Sequence, residues 1–126
     1  MNIDKNVTKQ IDEVKYLATE NTYRYRAIIR IMYKSYEKMK YTIYKEEIFE
    51  SLKIYDDFSS YTIENLKSDL DVLVSWKNLS ATADTAKVNT IEEFKNREFR
   101  YNLSPGTIEI ERMLIKLEHM TIENTS

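Results

Sequence analysis

Between Ser60 and Leu79 the apolar residues Ile63, Leu66, Leu70, Leu73 and Val74 fall on one stripe of a helical wheel, which predicts an amphipathic α-helix. The stripe gives way to Trp76-Lys77-Asn78-Leu79, where the helix should end and a strand begin. Ser60 or Thr62 supplies its N-terminal cap. Upstream, over Thr22 to Lys40, Ile28, Ile31, Met32, Ser35 and Met39 form a core stripe, and Tyr25, Ile29, Tyr33 and Tyr36 widen it sideways. That apolar arc is broader than one core contact requires. Either the tyrosines serve a second interface, each burying a ring while its hydroxyl stays wet, or the Ile11, Val14, Leu17 segment folds back over them.

The remaining elements follow in order. Residues Met1 to Gln10 are polar and unpatterned, an expected flexible arm, and Thr19-Glu20-Asn21 is a cluster of capping residue types. Tyr41-Thr42-Ile43-Tyr44 is rich in β-formers and predicts a short strand. Lys45 to Ile54, with Ile48, Phe49 and Leu52 at helical spacing, predicts a short helix, and Tyr55 to Ser60 a turn. Leu79 to Thr82 reads as a strand. Thr90-Ile91-Glu92-Glu93 is a capping box that opens a short helix to about Arg97. Phe99, Tyr101 and Leu103 alternate with Arg100 and Asn102, as in a half-buried strand. Ser104-Pro105 then starts a last helix through Ile108, Ile110, Leu114 and Leu117, and residues Thr121 to Ser126 form a polar tail expected to fray. Three helices, a short strand after the first and a strand pair after the third predict a mainly α, α+β winged helix-turn-helix domain over residues 11–120, with a small β-wing and an additional C-terminal helix.

Composition narrows what such a domain can do. The chain of 126 residues is long enough for one core. Its net charge of -2, with 32% charged residues, leaves no global field toward phosphate, so nucleic-acid binding would need a local basic patch. The chain contains no cysteine, which removes disulfides, thiolate catalysis and cysteine-ligated zinc, and suits a reducing, cytoplasmic setting. No stretch approaches the ~18 apolar residues of a membrane span. A single glycine and a single proline favour helices over a turn-rich sheet.

A winged helix that reads DNA presents arginine, lysine, asparagine or glutamine from its third helix to the major groove. Here that helix carries Glu64, Asp69 and Asp71 against Lys67 and the terminal Lys77, the wrong sign for a groove. Candidate phosphate contacts near the wing are Lys87, Lys95, Arg97 and Arg100, and the first helix offers Arg24, Arg26, Arg30, Lys34 and Lys38. All are interleaved with glutamates, as on a solvated mixed-charge face. The only histidine, His119, reads as a surface residue, with no second histidine or cysteine to complete a metal site. Neighbouring acidic pairs such as Glu46-Glu47 and Asp56-Asp57 diverge, and there is neither a glycine-rich phosphate loop nor a Ser-His-Asp set. The expectation is a non-catalytic chain with no cofactor.

Several stretches together resemble one family. Tyr16-Leu17-Ala18-Thr19-Glu20-Asn21, Tyr25-Arg26-Ala27-Ile28 with Arg30, Leu70 to Leu79, Asp84-Thr85-Ala86-Lys87-Val88, Thr90-Ile91-Glu92-Glu93-Phe94 and Tyr101-Asn102-Leu103-Ser104-Pro105 resemble, in order, the N-terminal part of the JetA subunit family of type II Wadjet plasmid-defence systems. The resemblance covers roughly Ile11 to Leu117. It departs at Gly106, where the family's glycine is expected one position later. It implies an N-terminal fragment of a longer kleisin-like subunit, similar to the kleisins of MukBEF-type condensins, which bridges an SMC-type ATPase and recruits a small winged-helix (MukE-like) partner. It implies dimerisation through the N-terminal winged helix, DNA contact only through the assembled complex, and no catalytic residues of its own. Tyr25, Ile29, Tyr33 and Tyr36 are then the expected protein interface. A winged-helix transcription regulator acting through its wing is the alternative.

Overall fold

The computed structural model describes residues 3–83 and 99–124. Asp4 caps a single helical turn, α1 (Lys5–Thr8), which is exposed throughout the expected arm. A 3₁₀ segment spans Asp12–Ala18, followed by α2 (Thr22–Glu37), β1 (Ile43–Tyr44) and α3 (Lys45–Leu52). After a 3₁₀ turn at Asp56–Phe58 come α4 (Ile63–Ser75), β2 (Leu79–Ala83), β3 (Phe99–Leu103) and α5 (Pro105–Asn124). Helix α5 thus continues through 121–124, part of the expected tail. The capping box at Thr90 and the short helix expected from Ile91 to Arg97 lie outside the described residues.

The strands form one antiparallel sheet in the order β1-β3-β2. Strands β2 and β3 pair from Leu79↔Leu103 to Ala83↔Phe99, and β1 adds Ile43↔Tyr101 and Tyr44↔Arg100 on the other edge. Period-two alternation sends Tyr101 into the core, with Phe99 and Leu103 half-buried on the same face.

Helix α4 forms where its stripe places it. Thr62 Oγ1 accepts from the Asn65 amide at 3.1 Å and Asn65 Oδ1 accepts from the Thr62 amide at 3.0 Å, a reciprocal cap. Leu66, Leu70 and Leu73 are fully buried, while Ile63 and Val74 lie at the margins. The helix stops at Trp76 because Lys77 turns left-handed, φ 65°. The Asn78 amide then donates to the Leu73 carbonyl at 2.9 Å and that of Lys77 to Val74 at 3.0 Å, the bond pair of a Schellman motif. Helix α2 ends the same way, with Met39 at φ 65° and the Lys40 amide donating to the Ser35 carbonyl. At the start of α5, Ser104 Oγ accepts from the Thr107 amide and Pro105 takes the first helical position. Asn78, fully buried, donates to the Glu13 carbonyl at 2.8 Å and to Thr107 Oγ1 at 3.0 Å, tying the first 3₁₀ segment, the end of α4 and the start of α5 together.

The buried face of α2 differs from the expected stripe. Tyr25, Ile28, Ile29, Met32 and Tyr33 are inside, Ile31 and Ser35 only half-buried, and Met39 is exposed in the left-handed cap. The residues assigned to the sides of the arc therefore belong to its centre. The cause lies in the N-terminal segment, which contributes Tyr16 at 0% exposure while Ile11 and Val14 stay on the surface. Tyr16 joins the core cluster that holds the buried face of α2, and Trp76 stands edge-on to Tyr25 at 5.4 Å.

Candidate protein-interaction surface

Three surfaces bear on function: the outward face of α4, the cationic side of α2, and the surface between α2 and the α3–α4 turn. On α4, Glu64 and Asp71 are exposed. The only cation within the helix, Lys67, donates to Asp71 at 2.6 Å and stands over the Phe99 ring at 5.4 Å, and the Asp71 contact raises its pKa. Lys77, just past the helix, is exposed and lies 3.4 Å from Asp12. Asp69, expected on this face, is instead buried. It accepts from Arg24 Nε and Nη2, both at 3.0 Å, and from the Tyr61 hydroxyl at 2.6 Å. Burial first, and then Asp69, hold the Tyr61 phenol well above its ordinary pKa.

The arginines of α2, expected on a solvated mixed-charge face, are internal cross-links. Arg30 donates to the buried Glu111 at 2.6 Å and to both oxygens of Glu118, at 3.2 and 2.7 Å, and Arg26 pairs with the same Glu118. Glu118 above all, then Glu111, raises the Arg30 pKa. Arg30 in turn leads the effects that hold the Glu118 carboxyl below its usual range. These guanidinium groups fasten α2 to α4 and α5, so their charge is already answered.

The four residues expected at an interface divide unevenly. Tyr25, Ile29 and Tyr33 are not exposed: the first two are in the main core and Tyr33 is 6% exposed. Tyr36 alone is half-buried at the surface, stacked on Tyr33 and tilted against Tyr41. Of the expected phosphate contacts, Lys87, Lys95 and Arg97 lie outside the described residues. Arg100 is half-buried in β3 between Tyr44 and Thr82.

An accessible apolar surface lies elsewhere. Tyr23, Ala27 and Ile31, four residues apart, make one ridge of α2, and Phe58 and Tyr55 face them across a depression of about 300 Å³. A second depression of about 370 Å³ shares Ile31, Lys34 and Tyr55 and runs on past Lys38, Ser51 and Ile54. Ile54 and Tyr55 are 78% and 58% exposed, and Tyr23 is 52% exposed. The far wall is braced. Lys53 Nζ donates to the carbonyls of Phe58, Ser59 and Tyr61 at 3.0, 2.8 and 3.0 Å, and the Tyr23 and Phe58 rings meet at 6.1 Å to close one end. Sequence reasoning passed over this groove because its two walls come from separate segments. The available signal was the Tyr23, Ala27, Ile31 spacing together with the adjacent Ile54 and Tyr55. Among the described residues no group of three or more histidine, aspartate or glutamate side chains could hold a metal, and no helix is long and apolar enough to cross a membrane.

Helix, strand, two helices and a strand pair, with the strand added to the edge of that pair, define a small α+β domain of winged-helix-like architecture. Residues 14–126 match the family model described as a protein of unknown function, DUF2397, and the chain belongs to that family. No curated protein and no solved structure matches it.

Proposed function

We propose that this chain is a non-catalytic scaffold module: the N-terminal winged-helix part of a kleisin-like subunit in an SMC-type complex of anti-plasmid defence, acting by dimerisation or partner docking. The observation that carries the reading is the disposition of charge. The outward face of α4 presents Glu64 and Asp71, with Lys67 committed to Asp71, and the α2 arginines are spent on internal carboxylates. A duplex in the position expected of a winged helix would meet carboxylates where it needs guanidinium and ammonium groups. A braced apolar groove on the opposite kind of surface suits protein contact instead.

The ordered resemblance to the Wadjet JetA family supports the particular assembly. In that reading the partners are an SMC-type ATPase and a small winged-helix subunit, the setting is the cytoplasm, and ATP hydrolysis and DNA cleavage belong to other subunits. Co-expression with those two subunits, followed by size-exclusion chromatography, tests it: the chain should co-elute with at least one of them. A salt titration against duplex DNA supplies the opposing result. Tight sequence-specific binding, with Kd of about 10 nM or below and a steep salt slope, would identify a transcription regulator and overturn the proposal.

A further inference from the structure

We infer that the groove along α2 receives an amphipathic helix of a partner protein, one that carries acidic side chains beside its apolar stripe. The inference rests on the reading of the chain as a docking module and names the chemistry of its partner. Shape comes first. From Tyr23 to Lys38 the α2 wall runs over 16 residues, about 22 Å at a rise of 1.5 Å from each to the next, which matches some four turns of a helix lying alongside. Tyr23, Ala27 and Ile31 form a continuous ridge on that wall, and Phe58, Tyr55 and Ile54 form the other, so a stripe at spacings of three and four would seat between them. Because Lys53 pins three carbonyls of the α3–α4 turn, the groove exists before anything binds, and little ordering cost remains.

Charge selects the occupant. The groove is lined by the cations Arg30, Lys34, Lys38 and Lys40 and by the carboxylates Glu47 and Asp57. Arg30 is held by Glu111 and Glu118, and Lys40 by Glu47. Lys34 and Lys38 are exposed and form no ion pair among the described residues; Lys38 lines only the depression that lacks Asp57, and Lys34 stands where the two depressions join. Glutamates flanking an apolar stripe would meet those ammonium groups, whereas lysines there would meet like charge.

The test uses the intact chain and a fluorescein-labelled helical peptide of about 18 residues, long enough for the four turns. Leucines form its apolar stripe and glutamates its flanks, and a second peptide carries lysine for every glutamate. Fluorescence anisotropy should show the acidic peptide bound at least about tenfold more tightly than its basic counterpart. Lys34→Glu with Lys38→Glu should reverse the preference, and Tyr55→Ser, at an exposed wall position, should weaken both peptides. Circular dichroism melts verify that each variant is folded. Equal affinity for the two peptides, or affinities unmoved by these substitutions, overturns the inference. So does sedimentation of the chain as a dimer that Tyr55→Ser dissociates, since a second copy would then fill the groove. Peptide binding without co-elution of the SMC-type subunits removes the assembly and keeps the groove. Co-elution that survives the lysine reversal and Tyr55→Ser does the opposite.

Discussion

Among the described residues Met39 and Lys77 are the two non-glycine residues with positive φ, and each terminates a helix. A side chain in the left-handed region costs roughly 1–2 kcal/mol, because Cβ crowds the following carbonyl. Glycine removes that strain but adds freedom to the unfolded chain, which returns part of the gain. Met39 is 78% exposed, so little packing is lost with it. Met39→Gly should therefore raise stability by about 0.5–1 kcal/mol, seen as a higher urea midpoint with an unchanged slope. Lys77→Gly should act in the same direction despite losing the exposed contact with Asp12, since surface pairs contribute little. In a chain with one glycine, both caps fall to residues that carry a side chain.

At the scale of elements, ion pairs join α2 to its neighbours: Arg24 to Asp69 of α4, and Arg26 and Arg30 to carboxylates of α5. Asp69 is buried between Arg24 and Tyr61, so Asp69→Ala leaves a half-buried guanidinium and a phenol without their acceptor. A loss of about 3 kcal/mol in urea unfolding is expected, toward the low end for a broken buried pair because Arg24 keeps some access to water. The contact between α2 and α5 depends on pH. The folded chain holds Glu118 below its ordinary pKa, through Arg30 chiefly and Arg26 after it. Unfolding releases a carboxylate that binds protons more readily, so this stabilisation is complete above the ordinary carboxylate range and disappears as pH falls through the depressed folded value. Thermal melts between neutral and acidic pH should show that decline, and Glu118→Gln should flatten it while lowering the neutral-pH melting temperature.

For the whole molecule, the same pairs explain why a net charge near zero hides an uneven surface. Arg24, Arg26 and Arg30 are taken up by carboxylates of α4 and α5, α4 faces outward with carboxylates, and among the described residues Lys34 and Lys38 form no ion pair beside an apolar groove. Such a surface is expected to bind protein selectively and duplex DNA weakly. The anisotropy and co-elution experiments measure the first, and the salt titration the second.

Local periodicity was enough for the core elements, though not for the helical turn Lys5–Thr8 or the run of α5 through 121–124. The stripe of Leu66, Leu70 and Leu73, the alternation at Phe99 to Leu103 and the Ser104-Pro105 start are each set by residues within a few positions of one another, and the structure has them where they were expected. Which side of α2 is inside was not legible. Its apolar arc is wide enough to turn either way, and the choice fell to residues outside the helix: Tyr16, buried in the same core, and Trp76, which packs on Tyr25. The surface charge was equally hidden, because a spacing along one helix cannot show that Asp69 meets Arg24 or that Glu118 meets Arg30 from another. Sequence determined the core helices and strands and their order, since those depend on neighbours along the chain. The groove and the sign of each face depend on partners brought together only by folding, and tertiary structure alone settled them.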